Sequence, residues 1–247
     1  MSRRPWVIAH RGASAVAPES TRAALREAIS AGVEMVELDV QLTRDMRLVV
    51  FHDIRLDRTT DGCGPLARTP YRQLARLDAG LWFSPRFVRE RVLLASQALR
   101  ILRRTRTNLE LKRTPHKALL VDRVLRCLRA TRAGARVLVS SFDPSLIAIV
   151  HRRRPRLATA LICHREYPET VRRAVRLGCL AIHPHVALAT PTRIRQAHAA
   201  GLRVHVWTVD EPRLVRRLAH WGVDGLFSND PRRTAAVLRG GAPTRRA

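Results

Sequence analysis

The sequence predicts an α/β fold, a closed (β/α)8 TIM barrel with an insertion between its second strand and second helix. Three observations predict it. From Thr107 onward, short apolar runs alternate with helix-like runs in a regular rhythm. Together with the units before Thr107, this makes eight strand–helix units in 247 residues, the size of one such barrel. The residues able to carry chemistry fall at the C-terminal ends of the predicted strands, where a barrel keeps its site. An open doubly wound sheet is the alternative. It needs a ligand crevice at a switch in strand order, and no GxGxxG follows the first strand.

The first strand is the apolar run WVIA before His10. Ser20 and Thr21 can cap a helix through AALREAIS, which Gly32 ends. The second strand alternates: Met35, Glu37, Asp39 and Gln41 share one face, and Val36, Leu38 and Val40 share the other. VVF then runs into His52 and Asp53. The stretch 54–91 is rich in Gly and Pro and holds a short helix, YRQLARLDAG, and a loop with Trp82, Phe83 and Phe87. So long a connection marks a functional excursion. VLLASQALRILRR is the next helix. The remaining strands are TNLELK, ARVLVSS, LATALIC, CLAIHP, LRVHVWTV and VDGLFS, each followed by a helix. Asp143 with Pro144, and Asp210 with Pro212, read as helix starts. Residues 1–240 form one domain, and 241–247 read as a C-terminal tail.

Composition narrows the function. At 46% hydrophobic residues the chain is not disordered. No run of eighteen apolar residues predicts a membrane-spanning helix, and the stretch before His10 is too short for a signal sequence. The expected location is cytoplasmic. Cys63, Cys127, Cys163 and Cys179 are scattered without CxxC or zinc spacing, and read as buried free thiols. The formal net charge of +26 invites a nucleic-acid role. Lys112 and Lys117 are the only lysines, however, and the arginines recur along nearly every helix rather than in one block with interleaved aromatics. A preference for arginine codons gives the same pattern. The expectation is salt-sensitive contact with polyanions and no specific nucleic-acid partner.

Two carboxylates on one face of a strand repel each other, which a sheet core does not require. Glu37 and Asp39, with Glu110 late in the next strand, instead suit a hard divalent cation, Mg²⁺ or Ca²⁺. Ion pairs with barrel arginines would give the same pattern, but His10 and His52 beside the carboxylates supply an acid and a base. Arg11 and Lys112 add positive charge suited to a phosphate.

The sequence resembles the glycerophosphodiester phosphodiesterase family. The matching pieces are HRG at 10–12, PEST at 18–21, ELDVQLTRD at 37–45 and VVFHDIRLDRTTDGCGPL at 49–66. LDAGLWFSPRF at 77–87, NLELK at 108–112, VHVWTVD at 204–210 and GVDGLFSNDP at 222–231 complete the set, which spans essentially the whole chain. The resemblance implies a metal-dependent barrel enzyme that hydrolyses glycerophosphodiesters to sn-glycerol 3-phosphate and an alcohol. Carried over, it makes Glu37, Asp39 and Glu110 the metal ligands, His10 and His52 the catalytic acid and base, and Arg11 and Lys112 the phosphate contacts. It allows a route in which the neighbouring 2-hydroxyl attacks first and gives a cyclic phosphate. Three positions depart from the family pattern. Ser20 replaces the usual Asn, Met46 replaces a turn Gly, and RVLLASQAL follows the aromatic loop.

Trp207 is a candidate to stack on the substrate, sharing a strand face with His205. His183 and His185 read as hydrogen-bonded loop histidines or a site rim. Ser140 and Ser141 lack a nucleophile motif. Asn229 and Asp230 read as caps of the last helix, Asp53 as a partner for a histidine, and Glu19 as a residue that orients Arg11. A phospholipase-D-like enzyme on lysolipids or sphingolipids, or a barrel that binds phosphodiesters without cleaving them, are the alternatives. A lipid substrate needs an exposed apolar lip, for which Leu81, Trp82, Phe83 and Phe87 are available.

Overall fold

A computed structural model describes residues 4–240. The expected tail at 241–247 lies outside the described residues. Strands β1 (Trp6–Ala9), β2 (Met35–Leu42), β3 (Leu48–Val50), β4 (Arg106–Leu111), β5 (Val137–Ser141), β6 (Ala158–Cys163), β7 (Ala181–Pro184), β8 (Arg203–Val206) and β9 (Gly225–Ser228) form one sheet. β1 pairs in parallel with both β2 and β9, so the sheet closes on itself and the open-sheet alternative is excluded. β3 is an antiparallel hairpin on the end of β2. The other eight strands are the barrel.

Helices α1 (Arg22–Ser30), α2 (Tyr71–Leu74), α3 (Ala95–Ile101), α4 (Lys117–Ala130), α5 (Pro144–Arg153), α6 (Tyr167–Arg176), α7 (Pro191–Ala199), α8 (Pro212–His220) and α9 (Pro231–Leu238) follow in chain order. All but α2 surround the barrel. Their starts use side-chain caps: Thr21 accepts from Ala24 N, Asp143 from Ser145 N and Asp230 from Arg233 N. The outward strand residues Val36, Leu38 and Val40 are fully buried in the layer between sheet and helices. The inward residues Ile8, Met35, Leu138, Ala160, Ala181 and Phe227 fill the barrel. A third cluster, with Val49, Phe51, Leu56, Leu66, Leu74, Ala79 and Val92, gives the excursion after β3 a core of its own.

Several local expectations change. The helix expected through YRQLARLDAG is only α2, because the Asp78 carboxylate draws the next turns into a loop by accepting from the N–H groups of Gly80, Leu81 and Arg89. Residues 92–94 are not yet helix: Leu93 O accepts from Val50 N, and the Gln97 side chain accepts from Leu94 N. Asp210 does not cap α8, whose cap position is Glu211; its carboxylate turns inward instead. Cys163 and Cys179 are buried, but Cys63 is exposed on the excursion, and all four cysteines are free.

Two of the departures noted above meet a backbone demand. Ser20 has φ 62° and Met46 φ 57°, both left-handed, so these turns form without the residue types that adopt that region most cheaply. Gly12 has φ 81°, and a Cβ there would lie 2.8 Å from Ala24, so the HRG turn requires glycine.

Candidate functional site

Parallel pairing sets the register of the site. Glu37 lies opposite Asn108 and Asp39 opposite Glu110, so the period of two brings the three carboxylates onto the inner face of adjacent strands. Their nearest oxygens lie within 4.8 Å of one another, a group that can hold a metal ion. Among the described residues no other three acidic, histidine or cysteine side chains converge this way.

The electrostatics favour a cation there. Glu37 Oε1 and Asp39 Oδ2 are buried with no hydrogen-bond partner. Burial, then Asp39 and Glu110, push the Glu37 carboxyl well above its ordinary range. Burial and Asp39 likewise push Glu110 up to about 7. Burial pushes Asp39 the same way, but Lys112 and Arg11 outweigh it and hold Asp39 low. Lys112 Nζ lies 3.2 Å from Asp39 and 2.9 Å from Glu110, and Arg11 Nε lies 3.3 Å from Asp39. Two cations thus face three carboxylates, and a hard divalent ion supplies what is lacking. The residues fit such an ion.

Arg11 and Lys112, expected at a phosphate, therefore also balance the acidic cluster. Arg11 is held on three sides. Its N–H donates to Glu37 Oε2 at 2.9 Å, its guanidinium to Glu19 at 3.1 Å, and its Nε faces Asp39. Glu19 thus orients Arg11.

The two histidines have different supports. His52 Nδ1 lies 2.6 Å from the Asp53 carboxylate, which can only accept, so Nδ1 carries the proton and Nε2 is the working nitrogen. Arg58, from the excursion, grips Asp53 at 2.6 and 3.0 Å and Glu19 at 2.8 and 2.9 Å. Arg58 and then His52 outweigh burial and hold Asp53 down to about 2. His10 Nδ1 lies 2.7 Å from Asn229 Oδ1. Asn229 Nδ2 donates to Asp210 at 2.6 Å and Ser14 Oγ donates to Asn229 Oδ1 at 3.0 Å, so the amide oxygen faces His10 and accepts from it. His10 has a neutral partner where His52 has an anionic one. Burial, reinforced by Arg11, lowers His10 to about 4.

The cavity between these groups measures about 150 Å³. Its lining includes the ionic side chains Arg11, Glu37, Glu110 and Lys112 and the histidines His10 and His52. Asn108, Phe142, Ile162, His183, Trp207 and Phe227 make up the rest. Trp207 is therefore at the cavity, its Nε1 donating to His183 O at 2.8 Å and its ring edge-on to Phe142. His183 is neither a loop nor a rim residue: it is 1% exposed inside the barrel and stacked on His205. A more open groove of about 610 Å³ meets the cavity at His10 and Arg11 and continues along Ser14, Asp210, Asn229 and Arg233.

Sequence reasoning missed Arg58, the use of Asn229 and Asp210 behind His10, and Phe142 and Phe227 in the wall. Arg58 lies in a Gly-rich stretch without periodicity, and no spacing links it to Glu19 or Asp53. Asn229 and Asp210 sit at strand ends near helix starts, where capping was the local reading.

Comparison with known proteins places this geometry. The model of the glycerophosphoryl diester phosphodiesterase family matches residues 10–233. The glycerophosphodiester phosphodiesterase of Caldanaerobacter subterraneus is 31% identical over 242 residues, which cover 95% of this chain and 98% of that one. A phosphodiesterase from Oleispira antarctica, solved in complex with the product sn-glycerol-3-phosphate, superposes with a TM-score of 0.92 at 30% identity, over 96% of this chain and 97% of the other. A glycerophosphodiester phosphodiesterase from Agrobacterium tumefaciens superposes with a TM-score of 0.82 at 28% identity, over 94% and 99%.

Proposed function

We propose a mechanism from one premise: this chain belongs to the glycerophosphoryl diester phosphodiesterase family. It is a hydrolase that cleaves glycerophosphodiesters to sn-glycerol 3-phosphate and the free alcohol. The observation that carries the reading is the convergence of Glu37, Glu110, two histidines, Arg11 and Lys112 on one small cavity, with Asp39 within 4.8 Å of the two carboxylates.

Glu37, Asp39 and Glu110 would hold a divalent cation, Mg²⁺ or Ca²⁺. When bound, such an ion neutralises negative charge on phosphoryl oxygens. Arg11 and Lys112 add to that neutralisation and orient the phosphate. His10, neutral at pH 7, takes the proton from the attacking oxygen through Nε2. That oxygen is the glycerol 2-hydroxyl beside the phosphorus, whose effective concentration exceeds that of free water. His52, protonated on both ring nitrogens at this step, gives its Nε2 proton to the departing alcohol while the Asp53 carboxylate balances its charge. Water then opens the cyclic phosphate: His52 takes a proton from the attacking water, and His10 returns its proton to the 2-oxygen as the P–O bond to it breaks, which restores both histidines. Trp207 packs against the substrate as part of the uncharged lining.

A second reading has one supporting observation. Ile54, Leu81, Trp82 and Val88 are each exposed on the excursion, Ile54 to 78%, while Phe83 and Phe87 of the expected lip are half-buried. Such a surface suits a lysolipid chain. A cytoplasmic location is proposed from the four free thiols, which a reducing compartment preserves. Cell fractionation that finds the protein exported would contradict it. Among the described residues no helix is long and apolar enough to cross a membrane.

The deciding assay offers purified protein glycerophosphocholine, glycerophosphoethanolamine and lysophosphatidylcholine, each with Mg²⁺ or Ca²⁺. Turnover of the first two is expected. Turnover of lysophosphatidylcholine alone would transfer the reading to lipids. Glu37→Ala should lose cation affinity by calorimetry; unchanged affinity would refute the ligand set.

A further inference from the structure

Level with Glu37, the barrel interior carries buried polar side chains beside its apolar filling, where such interiors are usually lined with branched apolar ones. Asn108, two residues before Glu110 on β4, and His183 on β7 are each 1% exposed, and both line the cavity. Asn108 Nδ2 donates to Ser140 Oγ at 3.0 Å, and its Oδ1 has no partner. His183 Nε2 and His205 Nδ1 share one hydrogen bond at 3.1 Å, and His183 Nδ1 has no partner. Buried polar atoms are rarely left unpaired in a folded protein. Two of them in the wall of one cavity call for a guest that forms hydrogen bonds.

The guest is neutral. Burial, and then the neighbouring His205, keep His183 well below its ordinary pKa, so it stays uncharged. Phe142, Ile162 and Phe227 make up much of the same wall, and a charged group placed there would lose its water without gaining a counter-ion. A hydroxyl both donates and accepts, so it satisfies the amide oxygen and either tautomer of the imidazole. Space gives the same direction. The cavity of about 150 Å³ suits a small polyol, and the adjoining groove of about 610 Å³ suits a larger and more variable group.

We propose that Asn108 and His183 form a hydroxyl-recognition floor that takes the terminal hydroxyl of the glycerol moiety. The glycerol half of the diester then points into the barrel and the released alcohol lies in the outer groove. This rests on the reading of the chain as a glycerophosphodiester hydrolase. Asn108 and His183 are specificity residues and take no part in proton transfer.

The test compares glycerophosphocholine with its 1,2-propanediol analogue, which lacks only the terminal hydroxyl and keeps the 2-hydroxyl beside the phosphorus. The wild-type enzyme should favour the glycerol compound roughly tenfold to a hundredfold in kcat/KM, because the analogue leaves the floor unpaired. In Asn108→Leu and in His183→Phe that ratio should fall to within about threefold. Calorimetry with sn-glycerol 3-phosphate against 1,2-propanediol phosphate should give the same contrast without turnover. Replacing choline by ethanolamine in the substrate should change kcat/KM less than about tenfold, since the alcohol lies outside the floor.

A wild-type ratio near one would overturn the proposal, as would a ratio kept by both variants. The first outcome means that water satisfies the floor, and the second that other groups read the hydroxyl. The wild-type comparison needs no variant to fold. If the wild-type enzyme cleaves no glycerophosphodiester with either cation, the functional reading fails, and the calorimetric pair judges the floor by itself.

Discussion

Replacing each site histidine in turn, and then changing the leaving group, tests the division of labour between them. Burial and Arg11 bring His10 down to about 4, so at pH 7 about one molecule in a thousand carries its proton there. An acid at His10 would therefore forfeit about 4 kcal/mol, close to a thousandfold in rate. As a base it has the lone pair on Nε2 free throughout, and gives up only part of its basicity. His52 has the Asp53 carboxylate 2.6 Å from Nδ1, the arrangement that steadies an imidazolium. His52→Ala should lower the chemical step on glycerophosphocholine by about a hundredfold to ten-thousandfold. On the glycerophospho-p-nitrophenyl diester, whose leaving group needs no proton, the same variant should fall within about tenfold of the wild-type enzyme. His10→Ala should lose at least about a hundredfold on both substrates. Stopped-flow release of nitrophenolate, beside a choline assay, measures all four rates. Calorimetry should show the cation still bound in both variants. Equal rescue of the two variants, or rescue of His10→Ala alone, would refute the assignment. A diester without the 2-hydroxyl that is cleaved as fast as the glycerol compound would exclude the cyclic route.

Other predictions rest on separate features. Arg58→Ala should lower kcat about tenfold with a smaller change in KM, because it frees Asp53 and Glu19 at once; an unchanged kcat would deny that the excursion steadies His52. His205 is held down to about 4 by burial, so the folded barrel keeps it neutral while the unfolded chain takes up a proton near its ordinary pKa. Stability from this residue is complete above pH 6.5 and is lost as pH falls toward 4, with about 2 kcal/mol gone by pH 5. Urea melts should show His205→Gln losing less stability than wild type between pH 7 and pH 5, and equal losses would contradict the linkage. Ser20→Asn should raise the melting temperature by about 1–2 °C, since Asn adopts the left-handed conformation at φ 62° more readily; a lower melting temperature would show that the side chain does not fit. Arg129, Arg132, Arg153, Arg154 and Arg156 surround a cavity of about 570 Å³ at the ends of α4 and α5 away from the site. Nucleic-acid binding should be sequence-independent and fall steeply with salt, and a filter-binding preference for one duplex at physiological salt would refute that.

What could be read from the sequence follows from which interactions are local. Glu37 and Asp39 were legible as a pair because strand side chains alternate, and the barrel did bring Glu110 beside them through the register of β2 and β4. His52 and Asp53 are neighbours in the chain, so their hydrogen bond needed only a loop to hold them. Capping rules likewise found Thr21, Asp143 and Asp230. The same rules misplaced Asp210, because a carboxylate just before a helix has two uses. Which one it takes depends on what closes against it. Here β9 brings Asn229 within 2.6 Å, and Asp210 then aligns the amide that accepts the His10 hydrogen bond across 219 positions of sequence. Arg58 could not be found for a similar reason: its bonds to Glu19 span 39 positions and exist only once the excursion folds over the mouth on its own apolar cluster. The candidate acid, base and metal-holding groups could therefore be read from periodicity and motif, while the groups that fix their tautomers depended on barrel closure. His183 shows the limit most clearly. A strand-end histidine followed by Pro reads locally as a loop residue, and only the closed barrel, stacking it on His205, turns it into the cavity that an equally buried Asn108 also lines. The hydroxyl floor proposed above is thus a product of tertiary structure, since Asn108 on β4 and His183 on β7 meet one cavity only when the barrel closes.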